Sequence, residues 1–228
     1  MCGRFALSIK TKDVEKLLPQ ALVKIELIPN YNIVPASEII CTLSNSSKEL
    51  TKLRWGLIPS FYKETALGSP IINSRMESIA EKPFYKKMLG SQRCIIYANG
   101  FYEWEKKGKI SQPYYISLKD ESPFTFAGIW DAWKASDGTT IVSTSIITTE
   151  ANELIQGIHH RMPVILDDVS RSEWLDKSLK NSQQLLNLLK PYNSDGMKLY
   201  PISKLVNNPR NNSEELIKPL SAELFQAK

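Results

Sequence analysis

The sequence begins MCGRFALS, with a cysteine directly after the initiator methionine. A small second residue permits removal of Met1, so the expected mature chain starts at Cys2 and carries a free α-amine and a thiol on one residue. An α-amine titrates near roughly 7.7–8.0, which leaves a useful fraction neutral at physiological pH. Toward an aldehyde, the amine condenses to a Schiff base and the thiolate closes a five-membered thiazolidine ring. No internal cysteine has that option. Toward an acyl group, the thiol attacks with its own amine as base. The bland reading is a small residue tolerated at the terminus.

Three further stretches hold groups that could serve such chemistry. INSRMES places Asn73, Arg75 and Glu77 at alternating positions, which share one face of an extended segment. Asparagine offers a positioning amide and arginine a planar fork that fits phosphate. The same pattern also suits a capped turn ahead of a helix. In NGFYEWEKK, Glu103 lies between Tyr102 and Trp104. It belongs either to the wet face of an aromatic strand or to a partly apolar pocket, where its pKa would rise toward useful proton transfer. GIHHRMPVIL holds both histidines of the chain, His159 and His160, followed by Arg161. A loop histidine can act as general acid or base, and Arg161 can meet a phosphate. With two histidines and no carboxylate at ligand spacing, a zinc site is not expected, and no metal or cofactor is implied. WGLIPSFY contributes Phe61 and Tyr62, either core residues or exposed rings that stack bases.

The elements that must hold these groups can be read from pattern. EIICTL and LTKLRWGLI read as neighbouring strands, and RCIIYA, FYEWEK, PYYISLK, TFAGIWDAW and TTIVSTSIIT as a strand-rich centre. Turn signals at Asn99-Gly100, Lys107-Gly108 and Asp137-Gly138 separate them. SRMESIAEKPFYKKML is helical with a break at Pro83. Thr11 and Thr149 are candidate caps of short helices. Ser170 and Glu173 have capping-box spacing, and SQQLLNLLKPY is an amphipathic helix ending before Pro191. Strands at the centre, helices at the flanks and no βαβ alternation predict an α+β fold, with a curled, largely antiparallel, barrel-like sheet in a single compact domain over 1–228.

Bulk properties bound the function. The 228 residues are 42% hydrophobic and 23% charged, an ordinary globular composition. No apolar run approaches the ~20 residues that span a bilayer, and no secretory h-region opens the chain. Three separated cysteines, Cys2, Cys41 and Cys94, form neither a CxxC nor an even framework, which suits a reducing interior. Lys plus Arg is 29 against Asp plus Glu 24, a net charge of +5 that allows a polyanionic partner without requiring one.

Taken in order, MCGRF, YNIVPAS, WGLIP, INSRMES, NGFYEW, IHHRMPVIL and NNPRNNSEELI resemble the SOS-response-associated peptidase (SRAP) family, whose members shield abasic sites in single-stranded DNA. The resemblance runs over nearly the whole chain. It implies that Cys2 links covalently to the ring-opened abasic aldehyde as a thiazolidine, and that Asn73 positions Cys2 and the sugar. Glu103 takes part in Schiff-base proton transfer and cross-link reversal, and His159 aids sugar ring opening. Arg4, Arg75 and Arg161 contact DNA phosphates, with Thr148 a nearby polar contact. Phe61 and Tyr62 stand where some bacterial members carry paired tryptophans, so stacking is kept but indole area is lost. The implied partner is single-stranded DNA carrying abasic sites, not a membrane. A monomer is the default expectation, and with no organelle address or long regulatory tail visible the expected location is a bacterial cytoplasm, associated with the nucleoid. Two other classes fit part of the sequence. An N-terminal-nucleophile cysteine peptidase or amidohydrolase would use Cys2 for acyl transfer, but leaves the other motifs unexplained. A non-catalytic nucleic-acid-binding module would not need Cys2 at all.

Overall fold

The computed structural model describes residues 2–63, 70–108 and 110–221. Its strands are β1 (Phe5–Leu7), β2 (Asn30–Ile33), β3 (Glu38–Leu43), β4 (Leu50–Trp55), β5 (Asn73–Arg75), β6 (Arg93–Ala98), β7 (Gly100–Lys107), β8 (Ile110–Leu118), β9 (Phe124–Lys134), β10 (Thr140–Glu150), β11 (Arg161–Pro163), β12 (Ile165–Leu166) and β13 (Met197–Pro201). The helices are α1 (Thr11–Leu17), α2 (Met76–Glu81), α3 (Pro83–Ser91), α4 (Asp168–Leu175) and α5 (Ser182–Asn187).

The fold is α+β, with a closed barrel at its centre. In the order β4-β3-β6-β9-β10 each strand pairs with the next, and β10 returns to pair with β4. Only the β10–β4 seam is parallel; the other four are antiparallel. Closure leaves the barrel no open edge to protect. The strand β5 continues where β4 leaves off, pairing in parallel with Ile146–Thr148 of β10. A second, fully antiparallel sheet runs β2-β1-β7-β8-β13.

The two sheets meet through aromatic packing. Phe5 of β1 is fully buried and packs edge-on against Trp55 of β4 and Phe126 of β9, at ring distances of 5.2 and 5.8 Å. Burying one such ring contributes roughly 1.5–3 kcal/mol. The contact fixes β1 on the barrel and so fixes the three residues ahead of it.

Several local expectations hold and several shift. Pro83 opens α3 at its first turn, where its missing N–H costs nothing. Asn99-Gly100 does not turn a hairpin. The chain there crosses from the barrel strand β6 to β7 in the second sheet, and Asn99 Oδ1 accepts the Ser8 N–H at 2.6 Å. Gly100 is required because a Cβ there would lie 2.4 Å from the Tyr115 hydroxyl oxygen. Thr149 caps no helix: it pairs with Met162 inside a strand, and Asn152 Oδ1 instead takes the Ile155 N–H in the turns that follow. Asp167 rather than Ser170 caps α4, accepting the Ser170 N–H at 2.8 Å. Lys10 is the cap residue of α1, with Thr11 its first helical residue. No helix among the described residues is long and apolar enough to cross a membrane.

Candidate active site

With β1 pinned by Phe5, Cys2 is carried to β5. The Asn73 amide donates to the Cys2 carbonyl oxygen at 2.8 Å, and Cys2 Sγ lies 3.8 Å from the Arg4 carbonyl oxygen. Met1, whose removal is expected, lies outside the described residues. Cys2 is fully buried. Burial, and after it the negative charge of Glu103, push its thiol well above the ordinary range. The resting sulfur is therefore a thiol, a poor nucleophile compared with its thiolate.

The alternation in INSRMES is used as an extended segment. Along β5, Asn73 stands opposite Ile146 and Arg75 opposite Thr148, with Ser74 turned inward to meet Ser145 at 2.9 Å. Asn73 Oδ1 and Thr148 Oγ1 are both buried and have no hydrogen-bond partner among the described residues. Buried polar atoms are normally satisfied, so two orphaned oxygens on one pair of strands mark a wall built to meet a polar group.

Glu103 belongs to the pocket, not the wet face. It is 4% exposed on β7. Burial raises its pKa, opposed in part by a hydrogen bond from the Trp104 backbone. Raising the pKa of a carboxyl in this way brings it closer to the range where it can both give and take a proton.

His159 and Arg161 form one unit. The Arg161 backbone N–H donates to His159 Nδ1 at 2.9 Å, which leaves the ring proton on Nε2 in the neutral form. Burial lowers the His159 pKa and favours that neutral form. The ring stacks on His160 at 4.5 Å and 19°. Arg161, expected as a phosphate contact, is paired within the protein. Its guanidinium is buried and donates to both carboxylate oxygens of Glu77, at 2.7 and 3.0 Å, and to the Thr148 carbonyl at 2.6 Å. The fork that would clasp a phosphate already clasps a carboxylate.

The other two arginines differ from each other. Arg4 donates to Asn32 Oδ1 at 2.7 Å and to the Val206 carbonyl at 2.8 Å, with its guanidinium 5.8 Å from the Trp104 ring centre. Arg75 is exposed and makes no ion pair among the described residues. Phe61 is 64% exposed, whereas Tyr62 is half-buried and its carbonyl accepts the Trp133 indole N–H. The sequence reading missed Glu77 as the partner of Arg161 and Asn32 as the clasp of the C-terminal segment. Asn32 Nδ2 reaches the carbonyls of Val206, Asn208 and Asn211 at 2.8–3.3 Å. Both residues lie in quoted motifs, but their partners are 84 and more than 170 positions away.

The chain is 43% identical over 221 residues to the abasic site processing protein YoqW of Bacillus subtilis, covering 95% of this chain and 99% of that one. It is 30% identical over 264 residues to the abasic site processing protein HMCES of Gallus gallus, covering 96% of this chain and 78% of that protein. A crystal structure of a protein from Bacteroides thetaiotaomicron superposes with a TM-score of 0.86 at 29% identity, over 96% of this chain and all of the other. Residues 1–209 match the family described as SOS response associated peptidase (SRAP), and the chain belongs to that family.

Proposed function

We propose that this protein captures abasic sites in single-stranded DNA by a covalent bond to Cys2, and so shields them. The observation that carries the reading is the second residue itself. Its carbonyl is pinned by Asn73, and its thiol lies within the electrostatic reach of the buried carboxyl of Glu103. The names of the relatives as abasic site processing proteins support the same substrate.

The residues suggest an order of steps. Once Met1 is removed, the α-amine of Cys2 is the available nucleophile, because the thiol is held protonated. The neutral His159, with Nε2–H as donor, helps open the sugar to its aldehyde. The amine adds to the aldehyde carbon, and the carbinolamine loses water to give the Schiff base. Glu103 protonates the departing hydroxyl. The thiol then adds to the imine carbon: a C–S bond forms, and the S–H proton reaches the ring nitrogen through Glu103. One water leaves overall and nothing is oxidised or reduced. Asn73 Oδ1 and Thr148 Oγ1 are placed to meet the sugar. Arg75 is the phosphate contact, Arg4 supports the wall beside Trp104, and Phe61 offers a ring to a base. Arg161 frames the site through Glu77.

The test is a denaturing gel of Met1-processed protein with a single-stranded oligonucleotide carrying one abasic site. A lesion-dependent adduct that survives denaturation and is lost in Cys2→Ala supports the reading. Absence of an adduct, with intact mass confirming Met1 removal, overturns it and moves the acyl-transfer use of Cys2 to first place.

A further inference from the structure

Alternation along the second sheet puts Phe5 and Phe101 on the barrel side and their neighbours Ala6 and Tyr102 on the outer face. That outer face has a small core of its own. Tyr102, Tyr115 and Tyr200 stand in register across β7, β8 and β13, with successive ring centres 5.2 and 5.9 Å apart. Residues 214–219 cross over them: Ile202 pairs with Pro219, and the Tyr200 hydroxyl donates to the Ile217 carbonyl at 2.8 Å. Between the sheet and this crossing segment lies a cavity of about 340 Å³, within the range of roughly 300–1,000 Å³ that holds small molecules. None of its lining residues belongs to the site around Cys2.

The tyrosine hydroxyls around the cavity can be accounted for one by one. Tyr102 donates to the Tyr31 carbonyl at 2.6 Å, Tyr200 donates to Ile217, and Tyr31 shares a hydrogen bond with Ser8 Oγ at 3.3 Å. Tyr115 is 3% exposed and lines the cavity, and its hydroxyl has no hydrogen-bond partner among the described residues. The backbone makes room for that group: a Cβ at Gly100 would lie 2.4 Å from its oxygen. Buried polar atoms are normally satisfied, so a hydroxyl given space and no partner points to one brought from outside. A water occupies about 30 Å³, and the cavity is far larger than one bridging water needs. Ser117 lies two residues along β8, on the same face. Its hydroxyl donates to the Leu118 carbonyl at 3.3 Å, which leaves its lone pairs as acceptors.

The charges at the cavity favour a cation. Glu121 and Glu214 line it together with Lys218. Lys218 is already paired with Glu215, and Lys198 with Glu121 at 2.6 Å. Glu214 is exposed and forms no ion pair among the described residues. Three carboxylates against two ammonium groups leave one negative charge in excess, and tyrosine rings add their own attraction for a cation. An anion would meet lysines that are already answered. We propose that this cavity is a binding site for a small alkylammonium, whose head group takes the Tyr115 hydroxyl and the Ser117 oxygen as acceptors. The tyrosine rings cover its alkyl part, and Glu214 supplies the opposite charge. Such an ammonium exists as a free amine or at the end of a lysine side chain. The site is independent of abasic-site capture.

The experiment titrates the full-length, ¹⁵N-labelled protein, without DNA, and follows the amide shifts of Ser8, Gly100 and Ser117. The probes are n-butylammonium, its neutral counterpart butan-1-ol and its anionic counterpart butyrate. Saturable shifts at these residues are expected, with n-butylammonium binding about ten-fold tighter than either counterpart. Tyr115→Phe keeps the ring and should weaken n-butylammonium roughly ten-fold, the effect of losing one hydrogen bond to a charged group. Glu214→Gln should weaken it about two- to five-fold, because that carboxylate is exposed. Tyr115→Phe should leave Tm unchanged or raise it, since the hydroxyl it removes is unmet in the free protein. A clear fall in Tm would show that the hydroxyl is already satisfied, and overturns the proposal. So does the absence of shifts at these residues, equal binding of all three probes, or ammonium binding that Tyr115→Phe leaves intact. Titration with Nα-acetyl-lysine N-methylamide then separates the sources. Binding tighter than that of n-butylammonium assigns the site to a lysine side chain of a peptide, and weaker binding assigns it to a free amine.

Discussion

Two carboxylates of this site carry opposite electrostatic signatures, and each can be read by its own pH dependence. Burial raises Glu103 above its ordinary 4.5, so the folded state holds its proton more tightly than the unfolded state does. Its contribution to stability is full below about pH 4.5 and is lost as pH rises through the folded-state value. Glu103→Gln should therefore raise Tm at pH 7, and the gain should shrink toward zero as the pH falls below 4.5. Thermal melts of both proteins across pH 3–8 check this, and an equal gain at all pH values would count against a buried ionisable Glu103. The same variant should slow adduct formation by about 10²-fold or more, the scale of general acid–base catalysis. Glu77 is the reverse. The Arg161 guanidinium lowers its pKa, so its contribution is full above about pH 4.5 and is lost as the pH falls through the folded-state value. Glu77→Gln should cost about 1–2 kcal/mol at pH 7, discounted because Glu77 is partly exposed, and the deficit should shrink as the pH falls below 4.5 toward and through the folded-state value. A deficit that stays constant as the pH falls would mean that packing, not the ion pair, is what was lost.

At the scale of elements, the C-terminal segment depends on one side chain. Asn32 of β2 donates to the carbonyls of Val206, Asn208 and Asn211, and its Oδ1 receives Arg4. Trp104 is held to the same segment through Asn207 at 2.8 Å. Asn32→Ala should destabilise the protein by roughly 1–3 kcal/mol, the cost of leaving buried polar groups unmet. Amide exchange should accelerate around residues 204–212 before it does in the barrel. Uniform acceleration over the whole chain would show that the clasp is not local. The clasp was not legible in the sequence; a curled, barrel-like sheet was, but not the strand pair that closes it. The strands themselves were legible, because β-branched and aromatic runs such as those of β6, β9 and β10 are local signals. Pro83 likewise fixed a helix boundary by local sterics. The parallel seam of β10 with β4 and β5 joins residues about 70–90 positions apart, and nothing in either segment specifies the other. Cap choice failed for a related reason. Around Thr11, Thr149 and Ser170 several short polar residues can each cap a turn, and tertiary packing decides which one is in place. The site divides in the same way. Cys2 was legible because its chemistry depends on position in the chain. Glu103 could be assigned to the pocket only once β7 was seen beside β1, and the pairing of Arg161 with Glu77 was invisible because the two lie 84 positions apart.

For the whole molecule, the net charge of +5 says little, because what matters is which cations remain available to a polyanion. Arg161 is spent on Glu77 and Thr148, and Arg4 on Asn32 and Val206. Arg93, fully buried, is spent on the carbonyls of Leu89, Trp174 and Asp176. Arg75 is exposed beside Asn73, so under the proposed function it is the arginine that would displace a counterion from DNA. Each phosphate neutralised on a single strand changes the slope of log K against log salt by about 0.7. In a Cys2→Ala background, Arg75→Ala should weaken binding to single-stranded DNA and make that slope shallower by about 0.7, with little change in Tm. Arg161→Ala should do the opposite: lower Tm clearly, because a buried frame is broken, while leaving the salt slope near its original value. Fluorescence anisotropy titrations at four or five salt concentrations, with melts alongside, separate the two. If Arg161→Ala shifts the slope by a full phosphate and Arg75→Ala does not, then Glu77 releases Arg161 when DNA binds, and the internal pair is a latch that the substrate opens rather than a fixed frame.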